Sequence, residues 1–503
     1  MPKRSAVLVS GGQCVVRGDE ARAVFDAPCT LAARAAEAAL LDAGVSAQNA
    51  GIDAIAMVRL FADSSPLFAS PFGGAKNPPR AVAQRLGIEP ARAIYSHAGG
   101  IAPQQLVNEM IAAINAGDIE CALVCGAEAI AAQKLGKKAG AVVDWNEVSQ
   151  GDMEDHGMGP DFFSAWEPAH GIGLPIYTYP LFENAIRHKR GMDRTQYRRF
   201  ISELFVPFSE VAKKNPFAQF PQSYSVDDLQ NTDGDNYWIA DPLSKHFVAQ
   251  DSVNQGAAVL IMSEDHAQRL NIPRENWVYL HAAAESIDLF VTARPDLSTS
   301  GALHAVVDSL HEQCGGALPA LECLDIYSCF PSAVIAASEA LQLDTNKTLT
   351  LTGGLPFFGG AGNNYSLHAI VETLHRLRGK ADAFGLVYSN GGYLSKHALG
   401  LYSTQKSSRD FSVEPANVIA QEAHPRLPVA VEANGEATIV THTVTYAKGR
   451  PQFAIVIANL ENGERCVAVN GDAESMSALL EGEPIGRRIF VRHKDGKSFF
   501  RFA

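Results

Sequence analysis

Three short segments of this chain hold side chains suited to carbonyl chemistry. Cys329 is followed by Phe330 and a helix-starting Pro331, so the amides and dipole of a helix N-terminus could favour its thiolate. Two residues earlier, Tyr327 offers a phenol that can donate to a carbonyl or enolate oxygen. His97 precedes Gly99-Gly100 at a strand-to-helix turn, and its imidazole titrates near neutrality, as a general base requires. Residues 351–366, LTGGLPFFGGAGNNYS, contain Gly353, Gly354, Gly359, Gly360 and Gly362. Such a loop allows close backbone approach and can aim amides at an oxyanion. Asn390-Gly391-Gly392 forms a further small-residue turn. Each group also has a plainer reading: a loop histidine satisfied by backbone, a packing tyrosine, a core thiol. His368 and His397 read as structural, and no spacing suggests a metal site. The glycine run is not the dinucleotide phrase Gly-x-Gly-x-x-Gly after a first strand.

The elements that must position these groups alternate. Short apolar strands are expected near residues 6–10, 52–58, 93–96 and 121–125, with helices over 30–43, 79–86 and about 101–116. This is a βαβα pattern, which implies a sheet covered by helices. Residues 133–241 differ. They are rich in Trp, Tyr, Phe, Pro and charge, and read as an insertion containing one basic helix over 186–200. That run and Lys213-Lys214 suit either a phosphate contact or a solvated helix face. A second βαβα series follows, with strands expected at 277–283, 323–327, 349–352 and 383–389 and helices at 300–314, 331–341 and 366–378. The two series form a weak internal duplication. From about residue 407 the pattern becomes period-two, with turns at Lys448-Gly449, Glu461-Asn462-Gly463 and Lys494-Asp495-Gly496. That predicts a small antiparallel barrel, separable from the rest at a polar linker over 403–408.

At 503 residues the chain is long enough for two to four domains. A net charge of −13 argues against a nucleic-acid partner, which needs a basic face, though not against a phosphorylated small molecule. No apolar run reaches the roughly 18–20 residues of a membrane span. The N-terminal MPKRSAVLVS reads as a first strand and not a signal peptide. The eight cysteines are scattered without a Cys-x-x-Cys pair, as expected of core thiols in a reducing cytoplasm.

The chain resembles the thiolase superfamily, and within it the sterol-carrier-protein-type thiolases. The resemblance spans residues 1–405 and is carried by several phrases: AAINAGD before a strand ending Gly126-Ala127-Glu128, IADPL with VNQGAAVL, Asp325-Ile326-Tyr327-Ser328-Cys329-Phe330, and Gly353-Gly354-Leu355. It implies a duplicated αβαβα core. Its N-terminal half would take residues 1–132 and 242–275, its inserted loop domain 133–241 and its C-terminal half 276–405. An OB-like barrel would follow at 409–503. The resemblance also implies which groups are missing. The family's nucleophilic cysteine falls at Gly100, its two motif histidines at Tyr327 and Gly360, and its last cysteine loop reads Tyr388-Ser389-Asn390-Gly391-Gly392. These departures, with the extra barrel, resemble thiolase-like proteins of type 1. The related retro-aldolases place tyrosines at two of these positions. Here only Tyr327 matches, and Tyr365 lies five residues past the other.

What the resemblance implies is a cytoplasmic acyl-CoA-binding protein in which ordinary thiolase activity is not expected. It would use His97 and Tyr327 for non-covalent acid–base chemistry, either acyltransferase-like or a retro-aldol or Claisen lyase step. Gly353, Gly354, Gly359, Gly360, Asn390 and Gly391 would face the ligand. Two alternatives stand beside it: an inactive acyl-CoA sensor or scaffold, and an acyltransferase working through Cys329. The CoA thioester would be substrate or ligand, with no tightly bound cofactor. Homodimer and monomer both fit, and the barrel would dock an acyl-CoA-metabolising partner.

Overall fold

The computed structural model describes residues 4–18, 24–407 and 426–502, with the backbone of a two-residue strand at Glu414–Pro415. The end of the polar linker and the expected start of the last unit at 409 lie outside the described residues. In the first sheet the order is β1-β8-β4-β2-β3-β5. These strands are β1 (Ala6–Val15), β2 (Ala54–Met57), β3 (Arg92–Tyr95), β4 (Cys121–Ala129), β5 (Glu154–Asp155) and β8 (Asn254–Ser263). β2 is parallel to β3 and β4, while β8 runs antiparallel to β1 and β4. The central strands are apolar on both faces because both are covered. The edge at β3 is closed by β5, where Arg92 forks onto Glu154 at 2.9 and 2.7 Å and Arg59 meets Asp155. Charge and a short covering strand are ordinary devices for blunting a sheet edge.

The second sheet follows the order β10-β11-β12-β9-β13. Its strands are β9 (Tyr279–Ile287), β10 (Cys323–Ile326), β11 (Phe384–Gly391), β12 (Lys396–Ser403) and β13 (Glu414–Pro415). The helices Ala102–Ala116 and Tyr365–Leu377 share one core with residues of both sheets. The helices Pro28–Ala43 and Pro78–Leu86 cover the first sheet's other face, and Gly301–Gln313 and Pro331–Ala340 cover the second sheet's. The result is a duplicated α/β core.

The stretch at 349–352 is no strand. The buried carboxylate of Asp325 takes the Leu351 and Thr352 amides at 2.8 and 3.0 Å and the hydroxyls of Thr350 and Thr352 at 2.9 Å. Those groups are therefore lost to a ladder.

Between β4 and β8 the chain leaves the sheet except at β5, and includes the short strands β6 (Trp238–Ala240) and β7 (Leu243–Ser244). The single basic helix expected over 186–200 is two helices, Pro175–Lys189 and Arg194–Lys214. Asp193 caps the second in a capping box with Gln196, which forces the break. In the C-terminal part, β14 (Gly435–Ala447), β15 (Arg450–Leu460), β16 (Arg465–Asn470), β17 (Arg488–Lys494) and β18 (Lys497–Phe502) pair in a closed cycle, β14–β15–β16–β18–β17–β14. This unit is not set apart from the insertion. Thr445 of β14 pairs with Ala240, and Asn184 donates to the carbonyls of Asp241 and His442 at 3.0 Å. Arg187, 2% exposed, forks onto Glu483 at 2.7 and 3.0 Å. Ile455, Ile457 and Val467 join Ile172 and Phe182 in the largest hydrophobic core.

The expected separability therefore gives way to a shared core. A chain truncated after Ser407 would strip that core's cover and leave Arg187 without its carboxylate. It is expected to be insoluble or to lose its cooperative melt by calorimetry. A soluble truncated chain with an unchanged transition would restore the independent-unit reading.

Candidate functional site

The geometry of the site starts from Gly100. It lies in the turn between β3 and the helix Ala102–Ala116. A Cβ there would lie 2.2 Å from the Asn390 carbonyl oxygen and 2.7 Å from the Tyr327 phenol oxygen. Gly391 is also close, its own Cβ position being 3.0 Å from the Gly100 nitrogen. The turn is tied down by Asn363, which accepts from the Gly99 amide at 3.0 Å, and by Ser366, which donates to the Gly100 carbonyl at 2.9 Å. Four segments thus meet at one point: the Gly99-Gly100 turn, the end of β10 with Tyr327, the end of β11 with Asn390-Gly391, and the last part of the glycine loop.

Around this point the polar groups are buried and linked. Asn390 donates from Nδ2 to Tyr179 Oη at 2.9 Å and to Cys329 Sγ at 3.6 Å, leaving its Oδ1 buried without a partner. Tyr179, from the insertion, also donates to the Gly392 carbonyl at 3.2 Å and stacks on Phe330 at 4.1 Å. Burial pushes the Cys329 thiol up to about 12, against the partial help of Tyr179 and Asn390. It is therefore a thiol at neutral pH, unlike an activated nucleophile. Burial also pushes the Tyr327 phenol well up, which keeps it a donor. Tyr327 meets Tyr365 edge-on at 5.3 Å, and the Tyr365 hydroxyl lies 2.5 Å from Thr352 Oγ1.

The structure gathers Tyr327, Cys329, Asn390 and Gly391 but distributes the rest. His97 is half-buried beyond Gly99, its ring centre 5.3 Å from that of His156, and no hydrogen bond joins it to Tyr327. Burial and then His156 lower its pKa. The glycines of the loop are occupied by the protein itself. The amides of Gly353, Gly354 and Gly360 donate to Thr350, Thr352 and the Gln250 carbonyl at 2.9, 3.4 and 2.8 Å. Gly353 lies on Ala212, and Gly359 on Gln255 and Val253. The basic run is equally committed: Arg187 to Glu483, Arg190 to Glu339, Arg194 to Asp241, and Arg198 to the Pro242 and Gln230 carbonyls.

Residues outside the expected set complete the neighbourhood. Tyr388 Oη, His397 Nδ1 and Nε2, Ser300 Oγ and Asp288 Oδ2 form a buried chain with steps of 2.8, 2.9 and 2.5 Å. Lys396 begins β12 beside Gly391 and is 2% exposed. A charge opening the apolar run Ala398-Leu399-Gly400-Leu401 was its sequence signal. Tyr179 had none, because the insertion brings it from far along the chain. A cavity of about 280 Å³ is lined by Phe220, Tyr224, Lys245, His246, Gln250 and Pro356. Its wall backs onto the site: the Gln250 amide donates to the Leu355 carbonyl at 3.1 Å and the Ala249 amide to the Cys329 carbonyl at 2.9 Å. A second cavity of about 200 Å³ lies elsewhere in the first half, between Cys29, Leu60, Trp145 and Glu147. No helix among the described residues is long and apolar enough to cross a membrane.

Known proteins share this architecture. The family described as thiolase-like protein type 1 additional C-terminal domain matches residues 417–497. The crystal structure of a monomeric SCP2-thiolase-like protein type 1 from Mycobacterium smegmatis is 33% identical, with 99% of each chain covered and a TM-score of 0.83. The Ltp2–ChsH2(DUF35) aldolase is 18% identical over 80% of this chain and 98% of its own, with a TM-score of 0.57. The dimeric peroxisomal thiolase of Saccharomyces cerevisiae is 13% identical over 80% and 98%, also at 0.57. No curated protein matches the chain.

Placing a cysteine at Gly100 tests the packing directly. Gly100→Cys forces its Cβ against the Asn390 carbonyl, and overpacking of this kind costs about 1–3 kcal/mol. The variant is expected to melt lower and to show no acetoacetyl-CoA thiolysis. An equally stable variant with thiolysis would contradict the geometry.

Proposed function

The chain belongs to the SCP2-thiolase-like protein type 1 family, and from that premise we propose that it binds an acyl-CoA and acts on it without a cysteine nucleophile. The observation that carries the reading is the convergence at Gly100, backed by the cavity behind Ala249-Gln250. In this reading the pantetheine arm passes the cavity, with Lys245 at its side for a phosphate group. The Asn390 Oδ1 accepts from a ligand N–H or O–H, which would satisfy an otherwise costly buried oxygen. Tyr327, held neutral by burial, donates to the thioester or keto oxygen. Stabilising an enolate in this way needs a donor and a base but no thiolate. The reaction class is carbon–carbon lyase or acyl-transfer chemistry.

A second reading, an acyl-CoA sensor or scaffold without turnover, draws support from one observation. Three glycine-loop amides that could hold an oxyanion already donate within the protein. Panels of 3-ketoacyl-CoA and β-hydroxyacyl-CoA separate the two. Turnover lost in Tyr327→Phe with binding retained supports the enzyme, and binding without turnover supports the sensor.

Lys245→Glu is expected to weaken acyl-CoA binding by calorimetry about tenfold, roughly 1.4 kcal/mol, with an unchanged melting curve. Undiminished affinity in the folded variant would move the ligand elsewhere. Iodoacetamide-sensitive thiolysis by the unaltered protein would point instead to Cys329.

A further inference from the structure

Lys396 is a buried lysine at the start of β12, set beside the Gly99-Gly100 turn. Its Nζ donates to the Pro160 carbonyl at 2.6 Å and lies 3.9 Å from the centre of the Phe162 ring. Among the described residues no ion pair reaches it. Its Cδ lies 3.8 Å from where a Cβ would stand on Gly99, as does Phe162 Cε1. That is ordinary contact, unlike the closed side of Gly100. Tyr327 and Asn390 fill the space at Gly100, while the Lys396 side chain enters from β12, passes Gly99 with its aliphatic Cδ and ends with its amine on Pro160 and Phe162. The segment over the amine, residues 156–162, turns through Gly157 and Gly159, both at positive φ, and exposes Met158. His97, half-buried on the same side, keeps an unpartnered Nδ1.

We propose that Lys396 is an amine nucleophile that forms an imine with a ketone carbonyl of the substrate, with His97 as the neighbouring group for proton transfer. The inference rests on the acyl-CoA reading for its substrate, a 3-ketoacyl thioester, but not for the amine itself. The Nζ lone pair attacks the ketone carbon, and a C=N bond replaces C=O. The carbonyl oxygen leaves as water with both amine hydrogens, so no oxidant or reductant is needed. The protonated imine then draws electrons from the adjacent carbon, the condition for making or breaking a carbon–carbon bond there. Desolvation lowers the Lys396 pKa to about 8, with Asp161 opposing. Asp161 on the covering segment and His97 on the glycine turn are coupled to it electrostatically. A fraction of the amine is thus free near neutrality, as a Schiff-base lysine requires.

The full-length protein, incubated separately with acetoacetyl-CoA and with 2,4-pentanedione, is treated with borohydride and mapped by peptide mass spectrometry. The expected result is a dominant adduct on Lys396 with both probes. It should grow as pH rises through about 8 and be missing from Lys396→Met. An adduct with pentanedione alone upholds the amine and removes the acyl-CoA substrate. Adducts only on surface lysines, or none, overturn the proposal. Acyl-CoA binding measured by calorimetry on the same sample would then leave the acyl-CoA reading standing. Mapping the unaltered protein decides the matter even where Lys396→Met does not fold.

Discussion

The contact on which the site depends is the approach of the Asn390 carbonyl to Gly100. It brings the end of β11, from the second sheet, against the turn that leaves the first sheet, and it leaves no room for a side chain. Glycine here is a packing requirement more than a conformational one. With that side closed, the Tyr327 phenol, the Cys329 thiol and the Asn390 amide form one buried cluster. Burial then sets their chemistry: a phenol that only donates, a thiol that stays protonated, and an oxygen awaiting a partner. The same closure directs attention to Gly99, where the buried Lys396 packs.

The insertion and the C-terminal sheet hold this arrangement from outside. Tyr179 leaves the helix Pro175–Lys189 to support Asn390, while Asn184 and Arg187 of the same helix grip the C-terminal unit. One helix thus touches both the site and the C-terminal sheet. Burial would raise Glu483, but the Arg187 hydrogen bonds win and hold it at about 2. The pair therefore contributes stability above the ordinary carboxylate range and loses it as pH falls toward 2.

Much of the fold was legible because its causes are local. Strands buried on both faces read as apolar runs, and helices stop at Gly44, Gly87 and Gly117, each left-handed in the structure. The site was legible only in part. Tyr327 and Cys329 follow β10 and Asn390 lies at the end of β11, and pairing of these two strands brings such ends together. The reason for Gly100 was not legible, since the atoms filling its Cβ space come from two distant strands. Nor was the fate of residues 349–352, whose β-branched run reads as a strand until the Asp325 carboxylate takes its amides. The ion pairs of the basic run were not legible for the same reason: the partners, Glu483, Glu339 and Asp241, lie on other elements. Glycine richness at 353–362 signalled close approach, and the structure shows it to Ala212, Gln255 and Gln250.

The central claim is that the ligand's thioester reaches Tyr327 and Asn390 from beside the Gly100 junction. A crystal structure with a non-hydrolysable acyl-CoA analogue bound tests it most directly. The account predicts the analogue's carbonyl within hydrogen-bonding distance of Tyr327 Oη, a donor on the ligand facing Asn390 Oδ1, and the arm leaving past Gln250 and Pro356. An analogue lodged instead between Cys29 and Trp145, or on the surface with the Gly100 junction unchanged, would contradict it.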